Sequence, residues 1–139
     1  MKSFSVLALL LCCTALFYAQ SSVLTVTFKF IGIEEGYDHL SKTQVWVDET
    51  LAGESPEVTQ SKGASFKVDI PYGEHTLRII NLAQYKEEWE EHTIANDYSI
   101  DCLWEGDFNF KKKRYSFFLL HDIDHATSVS WKKMPKPKK

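Results

Sequence analysis

The chain has 139 residues, 44% of them hydrophobic and 14% aromatic, with a formal net charge of −3. This is one domain's length, enough to bury a core without disulfide staples. Its 19 acidic residues outnumber its 16 basic ones, which argues against nucleic acid as the main partner, because phosphate binding needs a basic face.

Residues 1–20 read as a secretory leader. Lys2 supplies a positive start, and apolar sequence runs from residue 6 towards Phe17. That is shorter than the roughly 20 apolar residues that span a bilayer, and it fits a signal-peptide core. Cleavage after Ala19 leaves a bulky Phe17 two positions earlier, whereas Cys13 and Ala15 satisfy the small-x-small pattern better. Acylation of Cys12 or Cys13, as in a lipoprotein, is disfavoured by the bulk of Leu11. The expected product is cleaved and unanchored, secreted or periplasmic. No later apolar stretch approaches spanning length, so the mature chain is expected to lack a transmembrane segment.

Removing the leader's one lysine leaves 15 basic against 19 acidic residues, a net of −4. Five lysines (Lys132, Lys133, Lys136, Lys138 and Lys139) lie in the last eight residues, so the body up to Trp131 stands near −9. Only Cys102 remains of the three cysteines, and it cannot form an internal disulfide. It is expected to be a buried, inert thiol.

Residues 24–33 alternate, with Leu24, Val26, Phe28 and Phe30 on one face, as a half-buried strand requires. A loop over 34–41 follows. A second strand is read over 43–51, with Val45 and Val47 facing one way and Gln44, Trp46 and Asp48 the other. Gly53 and Pro56 end it. Residues 65–70 form a short strand stopped by Pro71, which has no N–H to offer a ladder. Gly73 permits a reversal into a fourth strand over 74–82.

Residues 86–92 have helical leanings but are too few to hold a helix, and read as a wide loop or strand edge. Residues 97–105 alternate again, placing Tyr98, Ile100, Cys102 and Trp104 together, and Gly106 with Asp107 reads as a turn. A strand from Phe108 breaks at the basic run Lys111, Lys112, Lys113 and Arg114. Residues 115–120 are nearly continuously apolar, as in a central strand covered on both faces. Residues 127–131 form a last short strand, and 132–139 should be a disordered basic tail. The expectation is an all-β protein: an antiparallel, immunoglobulin-like β-sandwich of seven to eight strands over residues 21–131.

The middle of the chain resembles the PEGA-type domain, an immunoglobulin-like surface module of bacterial envelopes. The resemblance lies in Val45, Val47, Asp48, Gly53, Ser55 and Pro56, and then in Pro71, Gly73, His75, Leu77 and Ile79. Gln84 and Tyr85 stand where that family usually has a Gly-Tyr pair. The resemblance covers residues 45–85 and implies a non-catalytic binding or structural role, with no cofactor and no catalytic residues.

Four constellations are candidates for chemistry. His121, Asp122, Asp124 and His125 (HDIDH) could converge on a metal ion if the segment bends. If it stays extended, the two histidines lie about 13 Å apart along the strand and cannot share one. The acidic run Glu87, Glu88, Glu90 and Glu91, with Asp97, is either a calcium site or a solvated face. The basic run 111–114 with the lysine tail either attracts anionic lipid or glycan, or blunts edge pairing. Trp46, Tyr72, Tyr85 and Trp89 fall on polar faces or turns, where aromatic rings stack on sugars or anchor a protein partner; Trp46 and Trp89 are otherwise core of the second sheet. No nucleophile elbow, Cys-His signature or phosphate loop is present. These residues point to a non-catalytic secreted or periplasmic module that binds an envelope protein or glycan. The alternative is a metal- or small-ligand-binding secreted protein using residues 121–125.

Overall fold

The computed structural model describes residues 20–139, so the expected leader lies outside the described residues except for Gln20. The described chain is all-β, with ten strands in two sheets. The strands are β1 (Ser21–Ile31), β2 (Leu40–Val47), β3 (Thr50–Glu54), β4 (Val58–Thr59), β5 (Ala64–Pro71), β6 (Gly73–Tyr85), β7 (Glu88–Glu91), β8 (Leu103–Phe110), β9 (Arg114–Asp122) and β10 (Thr127–Ser130). One sheet runs β10-β9-β1-β5. In the other, β6 pairs with β2 along one edge and with β8 and then β7 along the other, while β2 also holds β3 and β4.

The core lies between the sheets, where the inward faces of both meet. Leu24, Val26, Phe28 and Phe30 are buried on β1, facing Val45, Leu77, Ile79 and Phe110 of the second sheet. Period-two patterning therefore found the buried face of β1, and Cys102 is fully buried in the same core. As read from the sequence, β9 is central, flanked by β10 and β1.

Ten strands stand where seven to eight were expected, and four further features differ from the sequence reading. The strand expected over 43–51 is a hairpin that reverses at Asp48 and Glu49, both with positive φ (48° and 67°). A two-residue primed turn of this kind normally announces itself with Asn-Gly. Here Asp48 holds it instead, its Oδ1 accepting the Thr76 N–H at 2.9 Å. Gly106 and Asp107 are not a turn but the middle of β8, opposite Leu77 and Thr76. Gly106 is there because the Trp104 indole lies across it, 2.7 Å from where a Cβ would stand. Residues 97–102, read as part of a strand, are irregular, following a 3-10 turn at Ile94–Asn96, whereas β7 is an edge strand, the second of the two readings given for 86–92. Finally, the sheets are antiparallel except for one pair: β1 and β9 run parallel, from Val23 beside Arg114 to Ile31 beside Asp122. No helix of the described residues is long and apolar enough to cross a membrane.

Candidate functional site

Parallel β1 and β9 finish at the same end of the sandwich. The loops that leave them there, together with the β6–β7 hairpin, enclose a cleft of about 630 Å³. Its walls include Tyr37 and His39 from the β1–β2 loop, Gln60 from the β4–β5 turn, and Tyr85, Glu90, His92 and Tyr98 from the region of the second hairpin. Asp124 of the β9–β10 turn closes one side.

The loop carrying Tyr37 and His39 is tied down at its base. The Asp38 carboxylate accepts hydrogen bonds from Ser61 N–H (2.9 Å) and Ser61 Oγ (2.5 Å), and the Gln60 N–H reaches His39 O at 3.0 Å. These bonds favour the ionised carboxyl and hold the Asp38 pKa below its ordinary value.

The floor is a run of rings leading inwards. Tyr98 lies over His92 with centroids 4.2 Å apart, His92 meets Phe30 at 5.6 Å, and Phe30 meets His121 at 4.7 Å. The Tyr98 hydroxyl donates to Glu90 Oε1 at 2.7 Å. Burial and that carboxylate both push the tyrosine pKa up, so Tyr98 is a fixed neutral donor. The Gln60 side-chain amide lies 3.2 Å from His92 Nδ1. Burial, helped by the nearby His39, pulls the His92 pKa down to about 4, so the ring is a neutral imidazole at pH 7. His39 sets its edge against both Tyr85 and Tyr98, at 6.4 and 6.5 Å.

Above this floor, Tyr37 and Tyr85 stand open to solvent, 64% and 50% exposed. Neutral ring nitrogens, amides and carboxylates beside open tyrosine faces can hydrogen-bond hydroxyl groups and stack on an apolar sugar or peptide surface. The carboxylates of Glu34, Glu90, Asp97 and Asp124 give the cleft an acidic lining.

Of the four aromatic residues singled out from the sequence, only Tyr85 lines this cleft. Trp46 is half-buried on the outer face of the second sheet, beside the Arg78 guanidinium that pairs with Glu91 and Glu105. Its indole N–H donates to Gln44 Oε1 at 3.1 Å. Trp89 is half-buried beneath the Lys42 ammonium, 4.5 Å from its ring. Tyr72 sits at the opposite end of the sandwich, its N–H on Gln20 O.

The HDIDH residues separate. His121 faces the interior with no exposed surface, its Nδ1 on Thr127 Oγ1 at 2.8 Å. Because the Thr127 hydroxyl donates to Asp101 O, it accepts from Nδ1–H, which leaves His121 Nε2 an unpartnered acceptor. Asp122 pairs with His125 at 2.9 Å, and Asp124 turns to the cleft. Glu90 and Glu91 of the acidic run are engaged by Tyr98 and Arg78 respectively. Among the described residues no group of three or more His, Cys, Asp or Glu side chains is placed to hold a metal ion.

The sequence reading did not single out Tyr37, His39 or Tyr98. Tyr37 and His39 had one signal, their place in a loop where rings have no inward face to fill; Tyr98 had none, because its segment read as an alternating strand and is irregular instead.

Neither a protein-family model nor a curated protein matches the chain. It is similar to a solved structure described as "Trapped Toxin", with a TM-score of 0.33 and 11% identity over 81% of this chain and 24% of that one. The chain thus spans about a quarter of that structure's length. A likeness this slight carries neither fold nor function across.

Proposed function

We propose that this is a non-catalytic secreted or periplasmic β-sandwich module that binds a partner at the cell envelope, and that the partner is a neutral glycan held in the cleft. The observation that carries the reading is that Tyr37 and Tyr85, two of the large side chains left exposed, line the same concave site. Open tyrosine faces over a floor of neutral donors and acceptors suit a sugar ring, which is apolar on its faces and hydroxylated at its edges. The acidic lining disfavours a polyanionic glycan. The finer assignment of the sandwich as immunoglobulin-like and PEGA-like belongs to the same proposal. It is supported by the two strand-turn phrases of the resemblance, which coincide with the β2–β3 and β5–β6 reversals.

Calorimetry with neutral oligosaccharides of differing linkage tests this. Binding to at least one, weakened about tenfold or more in Tyr37→Ala and in Tyr85→Ala but not in Trp89→Ala, is the expected result. If no neutral oligosaccharide binds, and the Tyr37→Ala and Tyr85→Ala proteins still recover the same envelope partner, the cleft is not the site.

A further inference from the structure

The fold assembles a second surface at the end opposite the cleft. Lys111, Lys112 and Lys113 form the β8–β9 turn, Arg114 opens β9 beside them, and all four are exposed. The turn is pinned on both sides. The N–H groups of Lys111 and Lys112 donate to the Tyr115 hydroxyl at 2.9 and 3.0 Å. The Lys112 and Lys113 carbonyls accept from Ser22 Oγ at 2.6 Å and from Val23 N at 2.8 Å.

The lysine-rich segment 132–139, remote in sequence, starts at this same place. Trp131 packs 6.4 Å from the Tyr115 ring, and the N–H groups of Lys132 and Lys133 then turn back on Ser130 Oγ. Four cations at the turn and the start of a segment that carries five lysines therefore share one pole, nine cations in all, eight of them lysine. None of the nine makes an ion pair among the described residues. Asp69 and Glu74, which the sheet registers bring to the same end, pair with none of them.

We propose that this pole binds an anionic lipid bilayer. The argument is one of shape and charge together. The cations stand on an exposed turn and on the exposed segment 132–139, and none of them lines either cleft of the described residues, so they meet a flat surface more readily than they enclose a strand. Lysine is a compact, hydrated point charge without the guanidinium fork, suited to a diffuse negative field rather than to one fixed phosphate geometry. The rest of the body carries the opposite charge, and the acidic cleft lies at the far end of β1 and β9, roughly 30 Å away for strands of this length. A molecule so polarised would settle on a negative membrane with the lysines down and the cleft outwards. This rests on the pole alone and stands or falls independently of what the cleft holds.

The test is co-sedimentation of the protein, purified after export, with neutral phosphatidylcholine vesicles and with vesicles containing anionic phosphatidylglycerol, at low and high salt. The expected result is binding to the anionic vesicles only, reduced about tenfold or more by raising salt from 50 to 500 mM. Deleting 132–139 and replacing Lys111, Lys112 and Lys113 by Gln should each remove part of this binding, and together all of it. Binding that ignores salt and lipid charge, or that survives the combined variant, would overturn the proposal. So would a soluble polyanion such as dextran sulfate binding more tightly than the vesicles at equal charge, since that would assign the pole to an anionic polysaccharide.

Discussion

The indole of Trp131 lies flat on the ring of Phe108, centroids 3.9 Å apart and planes 16° from parallel. Trp131 follows β10 in the first sheet and Phe108 belongs to β8 in the second, so this stack fastens the sheets together at one edge. Phe117 at 4.6 Å and Trp104 at 6.0 Å complete the contact. Trp131→Ala should cost about 2–4 kcal/mol, somewhat less than a fully buried tryptophan, because the ring is only half-buried. Deleting 132–139 should leave stability unchanged. Urea unfolding of the two proteins checks the contrast, and equal midpoints would mean that the stack contributes nothing.

The two buried histidines make the fold acid-labile. Burial, with a smaller effect from neighbouring histidines, pulls His92 down to about 4 and His121 down to about 3. A depressed histidine pKa means that the unfolded state binds the proton first. Stability is therefore full above about pH 6.5 and falls as the pH drops from there towards 4 and 3. At pH 5 the loss should be on the order of 2 kcal/mol per histidine. His75 opposes this weakly: its bond to Asp48 raises its pKa, so its contribution is present at low pH and fades as pH rises through that raised value. Urea midpoints measured between pH 7.5 and 5 test the sign, and His121→Leu should flatten the slope. A level profile would mean these rings are not held neutral by burial.

Two hairpins turn on non-glycine residues in the left-handed region: Glu49 with φ 67° in one and Glu87 with φ 68° in the other. Such residues carry strain that glycine does not. Glu49→Gly and Glu87→Gly should each stabilise by about 0.5–1 kcal/mol, raising Tm on the order of 2–5 °C. Asp48→Gly should do the reverse, because it removes the carboxylate that holds the Thr76 N–H. Thermal unfolding followed by tryptophan fluorescence distinguishes the two signs.

The sequence carried its clearest information where side chains alternate or run apolar. The face of β1 bearing Leu24 to Phe30 was legible because a period of two admits one half-buried arrangement, and the centrality of β9 because its apolar run is nearly continuous; Cys102 is buried as expected, but in an irregular segment rather than the alternating strand that was read there. The reversal at Asp48 was not legible, since its turn chemistry comes from Thr76, 28 positions later. Gly106 misled for a similar reason: glycine signals a turn locally, yet here it makes room for the Trp104 indole.

What the chain alone determined is the all-β layering, since alternation and core burial are local properties that each strand writes for itself. Tertiary structure decided the rest. Setting β1 parallel to β9 gathers Tyr37, His39, Tyr85, His92 and Tyr98 around one cleft and sends the basic turn and the lysine segment to the opposite pole. It also separates the members of HDIDH, taking His121 into the core while Asp124 turns outwards. Which loops meet at a sandwich's end depends on strand order and direction, and those are set by long-range pairing that no local pattern encodes.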